Sequence, residues 1–355
     1  MRLDGPVLVV GAGLLGTSIA LALRREDVDV ALRDVSETNL RIASGLGAAN
    51  LSADEVRPQL VFVAVPPDHL AEQVAAALTS TPAVVTDVGS VKAAPLQAAR
   101  ALVGAGVLPR YVGGHPMAGS ERSGPVAASA ALFDGRPWAV TPHDTAAPAS
   151  VEVVTDLARL CGATPLTFTP EEHDRAVART SHLPHLLASL VAGRLTDAPR
   201  EHLALSGQGV RDVTRIAAGD PALWQQIIIA NTAALTTLLH DVRDDVDALL
   251  SALAAGEQAA IGALLDRGVQ GTTVIPGKHG APTGPVETVF VAVPDHPGEL
   301  ARLFADASEI DVNIEDLRID HDPGRAYGLV ELTVAAASAE HLLSSLEARG
   351  WTSHR

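Results

Sequence analysis

Short apolar runs alternate with amphipathic stretches through the first half of the chain. Val7–Val10, residues 28–34, 60–65 and 83–87 are the runs, and they have the pattern of strands covered on both faces of a parallel sheet. Ile19, Ala20, Leu23 and their neighbours form an apolar helical stretch between the first two. Tyr111-Val112, residues 138–142 and residues 165–168 add further strand candidates. This alternation predicts an α/β domain over residues 1–168, built on a Rossmann-type doubly wound sheet. At Thr169 the pattern changes. Thr169-Pro170-Glu171-Glu172 combines an N-cap, a first-turn proline and a capping-box glutamate, and helical periodicity alone continues to about residue 267. Pro184 predicts a kink in the first of these helices, and Asp220-Pro221 starts another. Trp224, Ile228, Asn231, Leu235, Leu238 and Val242 then recur in steps of four and three, a coiled-coil-like seam that needs a partner within the chain or in a second copy. Residues 271–286 read as a glycine- and proline-rich linker. Residues 287–355 read strand, helix, strand, strand, helix and a short last strand, a small α+β sandwich.

Composition narrows the class. Of 355 residues, 47% are hydrophobic and 19% charged, so the chain packs as a globular protein. A formal charge of -16 argues against nucleic acid and anionic membrane surfaces, while leaving room for an anionic substrate held by local cations. The single cysteine, Cys161, excludes a disulfide framework and a cysteine zinc site. No apolar run has the length of a bilayer span, and no leader-like segment stands before the first strand, so a reducing cytoplasm is expected.

The chemistry concentrates where strands end. After Val10, Gly11, Gly13 and Gly16 stand in G-x-G-x-x-G spacing and open a helix. Glycines there serve the tight turn, the approach of a pyrophosphate to bare backbone, and close helix–strand packing. Ala12, Leu14 and Leu15 complete a loop whose amides face phosphate at a helix N-terminus. Asp34 ends the next strand, placed to accept from both ribose hydroxyls and to repel a 2′-phosphate, which favours NAD; Arg33 beside it can accommodate that phosphate, which keeps NADP open. Val65-Pro66 and Asp87-Val88-Gly89 end two more strands and are expected to line the cofactor cleft. Ser90 reads as a ligand contact or as a helix N-cap, and Lys92 as a solvated surface residue.

Residues 113–124, GGHPMAGSERSG, surround His115 with small residues beyond the Tyr111-Val112 strand. Bare backbone followed by Pro116 would present the imidazole at the nicotinamide, where a dehydrogenase needs a proton acceptor; a loop histidine with a satisfied hydrogen bond is the other reading. His182 and His185, three apart, share a helix face. No third ligand accompanies them, so a core pair is weighed against a site pair and no metal is expected. Arg211 and Arg215 lie one turn apart, and Arg215 reads either as a surface partner of Asp212 or as a planar anchor for a carboxylate.

Taken in order, residues 87–92 (DVGSVK), 113–124, 181–185 (SHLPH) and 211–217 (RDVTRIA) resemble the prephenate dehydrogenase family over roughly residues 5–270. The resemblance implies NAD-dependent oxidative decarboxylation of prephenate or arogenate. It implies that His115 bonds the ring hydroxyl with help from Ser90, and that Glu121 lies at the substrate mouth. It places His182 and His185 toward the site, with His185 nearer the substrate, gives Arg215 a substrate carboxylate with Arg211 beside it, and pairs two chains through interlocked helices. Residues 207–210, GQGV, depart from the family's more usual GGF. Residues 289–319 resemble an ACT domain, the amino-acid-binding regulatory module, with the turn at 295–300 and Asn313 at the effector position; tyrosine is the effector that pathway logic suggests. Glu121 could pair with the amine of arogenate, which is the competing substrate. A chain of another class, a catalytically silent sensor of NAD and amino acids, would keep the glycine loop and the C-terminal module but lose the proton acceptor.

Overall fold

The computed structural model describes residues 3–119, 123–275, 285–320 and 327–355. In the first of its two compact units, Met1–Ser251, the apolar runs form four parallel strands: β1 (Val7–Val10), β2 (Val30–Arg33), β3 (Leu60–Val63) and β4 (Val84–Asp87), ordered β2-β1-β3-β4. Crossover helices α1 (Leu14–Arg25), α2 (Glu37–Gly45) and α3 (Pro67–Ser80) join them, and α4 (Ala93–Leu102) follows. Successive side chains point to opposite faces. Val7, Val9, Leu60 and Phe62 pack with Ile19 and Leu23 of α1, while Leu8, Val61 and Val63 pack with Leu70, Val74 and Leu78 of α3.

A second, three-stranded sheet follows: β5 (Gly113–Pro116), β6 (Pro137–Thr141) and β7 (Thr164–Thr167), with α5 (Pro148–Leu160) between the last two. β5 runs antiparallel to β6 and β6 parallel to β7. Here the structure corrects the sequence reading. His115 lies on a strand, paired with Ala139, and not in a bare loop. The glycines before it are bare because β5 is pressed between β6 and the end of β4. A Cβ on Gly113 would stand 2.5 Å from Thr141 Oγ1, and one on Gly114 would stand 2.8 Å from the Asp87 carbonyl.

The helical part runs α6 (Pro170–Val177), α7 (Leu183–Gly193), α8 (Arg200–Leu203), α9 (Gln208–Arg215), α10 (Pro221–Ala230) and α11 (Thr232–Ala255). The capping box at Thr169 is formed: its hydroxyl accepts from the Glu172 N–H, and the Glu172 carboxylate accepts from the Thr169 N–H. The kink expected at Pro184 takes another form. Ala178–His182 make a π-turn, and Pro184 sits in the first turn of α7, where a missing N–H costs nothing. The seam expected from Trp224 to Val242 is also broken. α10 ends at Asn231, and α11 departs at 94° to it. The pattern breaks because the Asn231 side chain points inward, to the Asp174 carbonyl and His182. Helices and nucleotide-binding strands up to Ser251 therefore pack as one body, although the sequence pattern divides them at 168/169.

The second unit, Ala252–Arg355, contains α12 (Gln258–Thr273) and a βαββαβ sandwich. Its elements are β8 (Val286–Pro294), α13 (Glu299–Glu309), β9 (Ile314–Asp320), β10 (Tyr327–Ala335), α14 (Ala336–Ala348) and β11 (Thr352–His354). The antiparallel order β11-β8-β10-β9 is the split βαβ arrangement. Val289, Val291, Val293, Val330, Leu332 and Val334 bury one face of the sheet against Leu303, Leu342 and Leu346. Gly298 takes φ 96°, in the left-handed region, just before α13. No single helix among the described residues is long and apolar enough to cross a membrane.

Candidate active site

The glycine loop divides its three tasks as the motif requires. Gly11 has φ +105°, and a Cβ there would meet the Ala64 carbonyl at 2.2 Å. A Cβ on Gly16 would collide with the Gly11 carbonyl, whereas one on Gly13 has nothing within 4 Å. The first and third glycines therefore serve internal packing, and the middle one leaves open space before α1, whose N-terminus has no side-chain cap. A pyrophosphate fits that place: the backbone is bare and no side chain caps the helix amides. Leu14 and Leu15 are half-buried in the first turn of α1. Asp34 turns one oxygen to the Ala12 N–H at 2.6 Å and the other to the Ser36 N–H at 2.7 Å, so it braces the glycine loop as well as standing at the β2 end. Arg33 is exposed and donates to the Ala53 carbonyl. Val65 and Pro66 follow β3, half-buried and exposed respectively.

Asp87 and Lys92 differ from their sequence readings. Asp87 is fully buried and Lys92 is 1% exposed. Lys92 Nζ bonds Asp87 Oδ2 and, at 2.7 Å, the Gly114 carbonyl. Asp87 also accepts from the Tyr111 hydroxyl (3.0 Å), the Gly89 N–H (2.8 Å) and the Gly114 N–H (3.3 Å). Its carboxylate thus turns inward onto protein donors, and Lys92 is a core cation holding β5 to β4. Gly89 is bare for the same reason, since a Cβ would meet Leu70 at 2.7 Å. Burial and the Asp87 charge raise the Tyr111 hydroxyl well above its usual pKa, so it remains a donor.

Ser90 lies half-buried beside these groups and does not cap α4. The cap comes from α6: Asp174 accepts from the Lys92 N–H at 2.7 Å and the Ala93 N–H at 2.9 Å. His173 next to it is 2% exposed. Its Nδ1 lies 2.9 Å from Asp174 Oδ1 and its Nε2 lies 2.9 Å from His115 Nδ1. A line from His115 to His173 to Asp174 therefore runs under the site. His115 is half-buried, and its Nε2 has no partner among the described residues. Burial, then His173, Lys92 and His182, hold its pKa well below the usual 6.5. The ring is neutral at pH 7.

His182 is 1% exposed, bonded through Nδ1 to Asn231, and pushed down to about 4 by burial. His185 lies flat on Trp224, centroids 3.6 Å apart, and burial lowers it too. Arg211 and Arg215 are exposed on α9, and Arg215 makes no ion pair among the described residues. Asp212, the surface partner considered for it, bonds Gln208. Glu121 lies outside the described residues. Sequence reasoning passes over His173 and Asp174, and assigns Lys92 to the surface and Tyr111 only to a strand. The signal available was a His-Asp pair one turn inside a well-capped helix.

Residues 19–166 match the family model described as prephenate dehydrogenase, nucleotide-binding domain, and residues 169–266 match that of the dimerization domain. The chain is 37% identical to the probable prephenate dehydrogenase NovF of Streptomyces niveus, over 97% of this chain and 98% of that one. It is 26% identical to the prephenate dehydrogenase of Bacillus subtilis, over 90% and 89%. Among solved structures, it superposes on prephenate dehydrogenase from A. aeolicus, in complex with hydroxyphenyl propionate and NAD+, with TM-score 0.69 and 25% identity, covering 76% of this chain and 98% of that one. Synechocystis arogenate dehydrogenase gives TM-score 0.66 and 26% identity, covering 76% and 100%.

Two outcomes test the site. Lys92→Met strands the Asp87 carboxylate in the core and should lower unfolding free energy by about 3–5 kcal/mol; urea titration measures it, and the Asp87→Asn, Lys92→Met double variant should lose less. Gly13→Val should weaken NAD binding in calorimetry at unchanged Tm, whereas Gly16→Ala should lower Tm. Two family models spanning most of the chain, and a relative 37% identical along its length, converge on one conclusion: the chain belongs to the prephenate dehydrogenase family.

Proposed function

We propose that this protein carries out the NAD-dependent oxidative decarboxylation of prephenate to 4-hydroxyphenylpyruvate, with His115 as the proton acceptor. The observation that carries the role of His115 is its neutral ring at the carboxyl end of the sheet, with Nε2 open while Nδ1 is engaged. Gly11, Gly13 and Gly16, the loop amides and Asp34 hold the dinucleotide. When bound, NAD supplies the hydride acceptor for ring carbon 4. His115 accepts the proton of the 4-hydroxyl as that oxygen becomes a carbonyl, and Ser90 bonds the same oxygen. The ring carboxylate leaves as carbon dioxide, its bonding electrons complete the aromatic ring, and the oxygen, now a phenolate, takes the proton back from His115, so no further acid is required of the chain. Arg215 anchors a substrate carboxylate as a planar fork, with Arg211 one turn away and His185 shaping the wall.

Arogenate is the second reading, because an arogenate dehydrogenase superposes almost as well. Comparing kcat/KM for the two substrates decides between them; Glu121 is the residue placed to discriminate. A sensor without catalysis is the reading that NAD binding without turnover on either substrate would support. A homodimer through the helical domain fits the exposed Leu190, Ile229, Val246 and Leu250. The βαββαβ module is read as an ACT-like regulatory domain, with tyrosine as its effector. The cytoplasm is the compartment that suits a buried free Cys161.

NADH formation is the direct assay. His115→Asn should cut kcat by about 10² or more with little change in NAD affinity. Activity requires the neutral ring, so kcat/KM should fall on the acid side only well below pH 6.5, as His115 gains a proton; an acid limb centred at or above 6.5 contradicts the assignment. Arg215→Gln should raise KM by about 10–100-fold, the loss of a charge-assisted hydrogen bond.

A further inference from the structure

The donors around Asp174 decide which nitrogen of His115 carries its proton. Asp174 Oδ1 accepts from the Lys92 N–H, and Oδ2 accepts from the Ala93 N–H. Both oxygens thus receive main-chain donors, and toward His173 Nδ1, 2.9 Å away, the carboxylate is again the acceptor. His173 donates. A neutral imidazole has one N–H, so His173 Nε2 offers a lone pair to His115 Nδ1 at 2.9 Å. His115 must donate across that bond. Its proton then sits on Nδ1, and Nε2 is bare.

We propose that His173 and Asp174 are positioning residues that hold His115 in the Nδ1–H tautomer, so that Nε2 is the nitrogen free to take the substrate's hydroxyl proton. The proposal deepens, and rests on, the role given to His115 above. It depends on His173 being neutral, because an imidazolium there would donate from Nε2 and drive the His115 proton to the wrong nitrogen. The charged and titratable groups facing the pair are Lys92 and Asp87 from the end of β4 and the loop after it, Asp174 from α6, and His182 from the π-turn. Burial and Lys92 hold His173 below its usual value, against the opposing pull of Asp174 and Asp87. Once His115 has accepted its proton, the same line ends on a carboxylate, which steadies the positive ring. That is the function an aspartate serves behind a catalytic histidine in other folds.

The decisive measurement is nitrogen NMR of the full chain, labelled at histidine nitrogen and saturated with NAD, with His115 assigned by difference from His115→Asn. The expected spectrum shows His115 Nδ1 protonated and Nε2 bare at pH 7. His173→Gln, whose amide oxygen replaces the Nε2 lone pair, should keep that tautomer and most of kcat. His173→Leu removes the acceptor; it should mix the tautomers and lower kcat by about 10-fold or more with KM within about twofold, a smaller version of the roughly 10⁴ loss when a triad tautomer is wrong. A parent spectrum with His115 protonated on Nε2 overturns the proposal, as does a His173→Leu enzyme with parental tautomer and kcat. Should His173→Leu fail to fold, the parent and His173→Gln spectra still decide. The tautomer is read without turnover, so a correct tautomer with no NADH from either substrate would overturn the activity and not this arrangement.

Discussion

A carboxylate with no access to water organises the site. Asp87 ends β4 facing inward, and an isolated charge there is untenable, so Lys92, Tyr111 and two main-chain amides converge on it. Lys92 also bonds the Gly114 carbonyl, which fixes the strand that bears His115. The position of the His115 imidazole therefore follows from a charge buried behind it. Gly89, Gly113 and Gly114 are consequences of the same convergence, since side chains on them would occupy the space the cluster needs.

A second carboxylate completes what the first begins. Asp174 closes the N-terminus of α4, which has no side-chain cap of its own, and orients His173 behind His115. Asn231 reaches back to the Asp174 carbonyl and to His182, so the break between α10 and α11 is part of the same network. The π-turn before α7 carries His182 inward and leaves His185 against Trp224 three residues on. Irregular segments of this kind gather where side chains must be aimed, and here they aim His182 and Asn231 inward.

Much of this was legible from residue order. The strand ends, the division of labour among Gly11, Gly13 and Gly16, the capping box at Thr169 and the βαββαβ order follow from periodicity and local propensity, which act within a few residues. The failures share one cause. Lys92, Asp87 and Asn231 were read by residue type, as surface cation, cofactor contact and seam position. Each is decided by a partner far along the chain, as Lys92 is by Gly114 and Asn231 by Asp174, 57 residues away. His173 and Asp174 were passed over because a His-Asp pair near a helix start is ordinary until α4 and β5 are brought beside it. The glycines around His115 suggest room for a ligand, and at Gly113 and Gly114 that room is taken by the protein itself.

The bond from Asp174 to the start of α4 has a mechanical consequence. The strands that carry the cofactor and the helices that carry Arg215 and His185 are latched together at the base of the cleft. A wide jaw-like swing about residue 169 would uncap α4 and strip His115 of its neighbour in one motion. Keeping both bonds confines relative movement of these two parts to displacements smaller than a hydrogen bond can tolerate.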